Sequence, residues 1–550
     1  MSWDFSYDVI AVGSGCAGFS VGLTAKLNGL KPLIIEKTDK YGGSSALSGG
    51  GVWIPNNHYL PSSVNDSDEE ALRYLQATVG DQVPADIRET YVKRGKEVLK
   101  FFYDNTKHVR FKYVPGYSDY YPELPGGRPQ GRSIEPEIFD LRLLGDDVKN
   151  FRRSNINTRG LTVDCYDFHK LNMIKRTFIG KTTSVKVGFR MIKSKITGAN
   201  LVALGQALVA RFRLSYKEAN GELWLNTAFK DYILEDGKVV GILVEKEGKE
   251  LRIQARKGVV MTLGGFSHSQ EYREKYLPKP TNSAWSSASP GQTGDFIAPS
   301  EAINVKLNLM DKVWGAPSLF IKDKLLAFLV ADRGIPNMIV VNSKGERYVN
   351  EGTAYHDFVD AMYKNTSGDT SAVPSWIILD QVARDRYLFM GMMPGQKFSQ
   401  ELIDSGGVKI ANTLEQLAKE IGVPVDNFVK TVKRFNEFAA AGKDLDFKRG
   451  DSKYDEYYAD PSLPAPCLYP IEKGPFYAME VFPGDIGTKG GLVIDKHARV
   501  QTNDGQIVPG LYAAGNTSAS IMGETYPGAG STLGPAMVMG YLAVQNMLGK

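Results

Sequence analysis

The sequence predicts an α/β protein in which one parallel-sheet unit both opens and closes the chain, with an α+β domain inserted between. Three observations carry this expectation. Residues 7–36, YDVIAVGSGCAGFSVGLTAKLNGLKPLIIE, read as strand, glycine turn, helix and strand in succession. Residues 510–516, GLYAAGN, form another apolar strand running into a glycine turn, followed by an apolar helix from near Leu533. Between 313 and 486 the glycine clusters thin out while helical and aromatic stretches multiply. The expected domains are therefore 1–312, 313–486 and 487–550, the first carrying an insertion at 140–198.

The opening unit has the most specific chemistry. Val9 to Val12 is short and apolar, as a buried parallel strand requires. Gly13, Gly15 and Gly18 follow in a GxGxxG turn. The first makes the tight turn, the second lets backbone approach a pyrophosphate, and the third lets helix pack on strand. Phosphate oxygens are then favoured at the uncapped N–H groups of the helix start. Pro32 to Ile35 supplies the second strand, and Glu36 stands about 20 residues after the glycines, placed to accept from a ribose hydroxyl. Strand, turn, helix, strand and acid in that order predict a Rossmann-type dinucleotide site.

Downstream, GGSSALSGGG (42–51) offers small residues and bare backbone that can lie against a large planar group. Two helices are expected over 68–106, then a loop dense in Tyr, Pro and Gly. From Lys170 to Lys195 the chain has Lys and Arg but no acid, interleaved with Phe178, Ile179, Val185, Val187, Phe189, Met191 and Ile192. Such a stretch suits an anionic membrane surface, or else a half-buried insertion with solvated lysines. Residues 222–265 return to β as a meander with turns at Asp236-Gly237 and Glu247-Gly248. A hairpin is expected at IVVNSKGERYVNE (339–351).

Composition limits the function classes. A net charge of only +4 on 550 residues gives no expectation of nucleic-acid binding. Cys16, Cys165 and Cys467 share no metal-type spacing, so neither a disulfide framework nor a metal site is expected. The start, MSWDFSYDVI, lacks a leader pattern, and no apolar run reaches membrane-spanning length. A cytoplasmic protein is expected, peripheral on the membrane if the basic stretch docks there.

GSGCAG with Glu36, the GGSS cluster, VVMTLGG and GLYAAGN together resemble the fumarate reductase-like class of FAD enzymes. Within that class, SDYYPELPGGRPQGRSIEP, GERYVNEGTAYHDF and GTKGGLVID leading to GETYPGAGSTLG resemble the 3-ketosteroid Δ1-dehydrogenases. The resemblance covers nearly the whole chain, departing at 140–198, which is longer than in compact members. It implies a Rossmann-type FAD domain with an inserted α+β catalytic domain. It also implies a 3-ketosteroid substrate and an external electron acceptor, a quinone or an artificial dye.

By that resemblance FAD is held by Gly13, Gly15, Ala17, Gly18, Glu36, Lys37, Gly43, Ser44, Ser45, Leu47, Gly49, Ala228, Gly264, Gly515, Asn516 and Leu533. The GGSSALSGG stretch has no His where covalent members attach flavin, so FAD is expected to bind non-covalently. The resemblance implies that Tyr526 and Gly530 stabilise the ketone oxygen as the substrate enolises. Tyr355 takes the C2 proton and Tyr120 leads it outward, its neighbour Tyr121 differing by one register. His356 is set aside because neighbouring side chains of an extended segment face opposite ways, and Arg132 is expected to be structural. The rivals are a 3-ketosteroid Δ4-(5α)-dehydrogenase, a fumarate-type reductase, which needs several cationic donors, and a carrier without flavin.

Overall fold

The computed structural model describes residues 2–154, 160–321 and 324–550; residues 155–159 of the expected insertion and 322–323 of the expected inserted domain lie outside them. Strand β1 (Phe5–Val12), helix α1 (Cys16–Leu27) and strand β2 (Pro32–Ile35) follow the order read from the sequence. Ten of the twelve α1 residues are buried, because the helix lies between the sheet and the C-terminal helix Leu533–Met547. That is why its apolar residues run all round rather than in one stripe.

The first sheet places strand 507–513 beside 249–261, then β1, β2 and 222–224, all parallel. The strand Lys249–Met261 is shared by two arrangements. Its first half pairs antiparallel with 238–246, completing the expected meander, and its last residues pair parallel with β1. Opening and closing segments of the chain thus meet in one sheet. The second sheet is antiparallel and is built from strands between 313 and 488, with Phe476–Thr488 at its centre.

Helices α2 (Asp68–Thr78) and α3 (Ala85–Asn105) occupy the expected positions, α2 being capped by Ser67, whose hydroxyl accepts from Glu70 N–H at 3.2 Å. Within 140–198 the chain forms α4 (Cys165–Leu171) and α5 (Phe178–Thr197). Asp167 ties them together, accepting from Lys186 and Arg190, each at 2.9 Å.

Two local expectations are corrected. Residues 339–351 do not form a hairpin: Met338–Val341 pairs with Ser375–Asp380, and 346–351 has no strand. The Glu351 carboxylate instead accepts from the Val340 N–H at 3.2 Å, taking the position a partner strand would fill. The segment around His356 is not extended but begins the helix Tyr355–Lys364, so the two side chains diverge by about 100° rather than 180°. No described helix is long and apolar enough to cross a membrane.

Candidate active site

Backbone from three distant segments converges at the start of α1. Gly13 has φ +117°, and a Cβ there would sit 2.3 Å from Thr262 O; one on Gly18 would sit 1.8 Å from Gly13 O. Only glycine fits such turn-on-strand and helix-on-turn packing. Gly15 is different. Its Cβ would meet only the Ser45 Oγ, at 3.3 Å, while a Cβ on Gly43 would come 3.6 Å from Gly15 Cα and one on Gly515 3.3 Å from Ala17 Cβ. Glycine turn, GGSS loop and closing turn therefore face one another. The N-cap residue Gly15 supplies no side-chain cap to α1 and its first turn has no acid, so the positive end of its dipole is directed at this junction.

The remaining expected cofactor residues sort by position. Glu36, at the end of β2, is oriented by Ser14 O–H at 2.6 Å and Thr38 N–H at 3.0 Å, and its main-chain oxygen accepts from Thr227 N–H, beside Ala228. Ser45 Oγ accepts from Cys16 N–H at 2.9 Å, and Ser44 Oγ accepts from Ser289 N–H at 2.7 Å. Leu47 and Gly49 continue that loop, and nothing lies within 4 Å of a Cβ built on Gly49. The Gly264 N–H donates to Thr517 Oγ1 at 2.9 Å, next to Asn516. Leu533 begins the C-terminal helix, whose first turn also lacks an acid. A small hollow lies between Gly515, Asn516, Thr532, Pro535 and Trp314. Lys37 turns aside to pair with Asp295 at 2.8 Å. Glycine cradle, oriented carboxylate and uncapped helix starts are what a flavin dinucleotide needs, so these residues fit FAD.

The tyrosines form a second cluster. Tyr120, Tyr355 and Tyr526 are all buried, with ring centroids 5.0 to 5.6 Å apart. The Tyr120 hydroxyl donates to Tyr355 Oη at 3.1 Å, and Tyr117 Oη lies 3.5 Å beyond Tyr120. Tyr121 points elsewhere, donating to Asp357 at 2.9 Å, so the register that meets Tyr355 is 120. Burial pushes the Tyr120 and Tyr355 phenols well above 10. It raises Tyr526 too, against opposing pulls from Tyr355, Thr532 and the Gly530 main chain.

The YPGAG turn is pinned by its carbonyls. Pro527 O accepts from Tyr120 N–H and Tyr74 O–H, Ala529 O from Ser133 O–H, and Gly530 O from Trp53 N–H, at 2.6 to 3.2 Å. Gly530 has φ +102°, and a Cβ would fall 2.4 Å from the Gly51 carbonyl. No other residue fits there without moving backbone. Arg132 is fully buried and pairs with Asp66 at 2.7 Å and with Asp119, which also accepts from Trp53 Nε1 at 2.8 Å; its place is structural. His356 Nε2–H donates to Glu524 O at 2.7 Å while Nδ1 accepts from Gly315 N–H at 3.3 Å. Both nitrogens are engaged and burial holds the ring neutral, so it has no free lone pair for a proton.

Sequence reasoning missed Trp314 and Lys489. Trp314 packs edge-on against Tyr526 at 4.8 Å and donates to Asn516 Oδ1 at 3.2 Å, joining the two clusters. Lys489 is fully buried beneath it. Lys489 lies in GTKGGLVID, one of the strings that carried the resemblance, but nothing in the spacing marks it as buried.

The chain matches a family model described as FAD binding domain over residues 8–533. It is 44% identical over 551 residues to a 3-oxosteroid 1-dehydrogenase of Mycolicibacterium smegmatis, covering 98% of this chain and 96% of that one. A 3-oxosteroid 1-dehydrogenase of Mycobacterium tuberculosis is 43% identical, with 98% and 97% covered. Among solved structures, 3-ketosteroid delta1-dehydrogenase from Sterolibacterium denitrificans, in complex with 1,4-androstadiene-3,17-dione, superposes with a TM-score of 0.93 at 40% identity over 99% of each chain.

Proposed function

The chain belongs to the 3-oxosteroid 1-dehydrogenase family of FAD-binding proteins, and from that premise we propose that it introduces the C1–C2 double bond of 3-ketosteroids in steroid catabolism. The observation that carries the reading is the buried cluster of Tyr120, Tyr355 and Tyr526 beside the pinned turn at Gly530.

Desaturation next to a ketone requires loss of a C2 proton and a C1 hydride. The C2 proton is too weakly acidic to leave until negative charge on the ketone oxygen is stabilised, which calls for donors fixed in advance. In this reading Tyr526 Oη–H and Gly530 N–H hold that oxygen. Tyr355 accepts the C2 proton as a phenolate, which the Tyr120 hydroxyl steadies by donating to it; for the proton then to leave outward, Tyr120 passes its own proton on and takes that of Tyr355, reversing the bond between them. With both phenols buried and held well above 10, the phenolate is a minor form at neutral pH, and the reacting fraction of Tyr355 grows as pH rises. FAD, when bound, supplies the acceptor for the C1 hydride. Gly13, Gly15, Ala17, Gly18, Glu36, Gly43, Ser44, Ser45, Gly515 and Asn516 would hold it, without a covalent link. Electrons then leave to an external quinone or dye.

Mixing the oxidised enzyme anaerobically with a 4-ene-3-ketosteroid should bleach one flavin per 1,4-diene formed. A saturated 5α-3-ketone should give the 1-ene; a 4-ene product would instead indicate Δ4-(5α) dehydrogenation.

Helix α5 supports a peripheral membrane site on the cytoplasmic side. Phe178, Val185, Phe189 and Ile196 are 66 to 82% exposed, and Lys181, Lys193 and Lys195 lie exposed among them. Apolar groups at this exposure, ringed by lysines and without an acid, match the boundary of an anionic bilayer. Phe178→Ser combined with Phe189→Ser should cut partitioning onto anionic vesicles at least about tenfold, since each buried Phe is worth roughly 1.5–3 kcal/mol. FAD content should not change. Unaltered pelleting with vesicles would remove the membrane site.

A further inference from the structure

The segment that delivers Tyr526 is gripped in an unusual way. Three successive carbonyls just ahead of it accept hydrogen bonds from buried side chains. Lys489 Nζ donates to Thr525 O at 2.6 Å and lies 3.4 Å from Gly523 O. His356 Nε2–H takes the carbonyl between them, Glu524 O, at 2.7 Å. His356 is the neighbour of Tyr355 on the same helix. The helix bearing the proton acceptor and the turn bearing the ketone donor are thereby cross-linked.

Lysine is rarely buried unless it is paired. Here Nζ is surrounded by carbonyls and by the Trp314 ring, whose centroid is 4.2 Å away, and the same indole packs edge-on against Tyr526 at 4.8 Å. Main-chain bonds hold Lys489 itself, its N–H donating to Lys312 O at 2.9 Å and its carbonyl accepting from Ser520 N–H at 3.0 Å. The ammonium is therefore linked to Tyr526 by two indirect routes, through the 523–525 backbone and through Trp314. Burial lowers Lys489 to about 7, Lys312 adding to that shift and Asp360, Asp357 and Glu524 opposing it, so the ammonium is held there at a cost, and the amine form donates to the same carbonyls.

We infer that Lys489 is a positioning residue for Tyr526, its ammonium fixing the 523–525 turn and Trp314 so that the phenol meets the ketone oxygen in register with Tyr355. The inference rests on the reading of Tyr526 as the ketone donor. Charge-assisted bonds to carbonyls are strong enough to hold such a turn against thermal motion. A donor misplaced by a fraction of an ångström loses stabilisation chiefly in the transition state.

A double-mutant cycle on the FAD-loaded enzyme tests this. Lys489→Met should keep its FAD and bind steroid within about twofold of the wild-type Kd, yet reduce flavin about tenfold more slowly at saturating steroid. In a Tyr526→Phe background the same substitution should add almost nothing. Wild-type flavin reduction in Lys489→Met, or rate losses that multiply independently, would overturn the inference. If Lys489→Met does not hold FAD, Lys489→Gln is taken through the same cycle, and loss of FAD in both variants would also overturn it, leaving Lys489 a purely structural residue. A Tyr526→Phe enzyme as fast as wild type would instead refute the reading of Tyr526, and so is told apart from a failure of Lys489.

Discussion

Tyr355→Phe is expected to fold and retain FAD while losing roughly 10²–10⁴-fold in steroid-dependent flavin reduction, the usual contribution of a positioned base. The substitution removes one hydroxyl and leaves the ring, which packs against Tyr120, Phe328 and Tyr526 at 5.4 to 5.6 Å, in place. Its direct cost is the loss of the acceptor for the Tyr120 hydroxyl. The pH dependence follows from burial. In the proposed mechanism Tyr355 acts in its deprotonated form, and its pKa is held well above 10 by desolvation. The deprotonated fraction therefore grows with every step up in pH across the neutral range. Wild-type flavin reduction should rise with pH in rapid-mixing measurements, and Tyr355→Phe should lose that slope together with the rate. Wild-type speed in the variant would remove Tyr355 as the base.

Tyr526→Phe is expected to cost about 10²–10³-fold, or roughly 3–4 kcal/mol, as for loss of one donor to a developing oxyanion. Its effect can be read apart from hydride transfer, because in the proposed mechanism C2 exchange needs only the ketone grip and the base. In D₂O the wild-type enzyme should exchange the C2 hydrogen of a ketosteroid for deuterium; Tyr526→Phe should exchange it at least about 100-fold more slowly. Unchanged exchange would clear Tyr526 of gripping the ketone. Gly530, the other proposed donor, would act from main chain and cannot be truncated in the same way. Its φ of +102° and the 2.4 Å approach of a built Cβ to Gly51 mean that substitution would displace the turn itself.

Much of this was legible from sequence where the physical requirement is local. The β1–turn–α1–β2–Glu36 unit places Gly13 and Gly18 where a tight turn and a helix contact exclude every other residue, while Gly15 leaves the approach to the helix start open, so residue type and spacing largely determine the geometry. The sequence left open whether 170–195 is a surface stretch or a half-buried insertion; the exposure of Phe178, Val185, Phe189 and Ile196 is a tertiary fact. The hairpin at 339–351 was misread because its turn chemistry is genuine, while the second arm is replaced by one carboxylate, Glu351, bonding a strand N–H. His356 was set aside for a reason that does not hold, since a helix begins at Tyr355. What keeps it from acting as a base is the pair of main-chain bonds on its ring. Lys489 was invisible: its partners lie 34 and 36 residues away, and a lysine in a glycine-rich string looks solvated. The choice between Tyr120 and Tyr121 came down to which hydroxyl meets Tyr355, a tertiary fact.

The most direct measurement is a crystal structure of the FAD-loaded enzyme with a 1,4-diene-3-ketosteroid product. The ketone oxygen is expected about 2.7–3.1 Å from both Tyr526 Oη and Gly530 N, with Tyr355 Oη facing C2. A ketone bound away from Tyr526 and Gly530, or a C2 carbon out of reach of Tyr355, would contradict the mechanism at its centre.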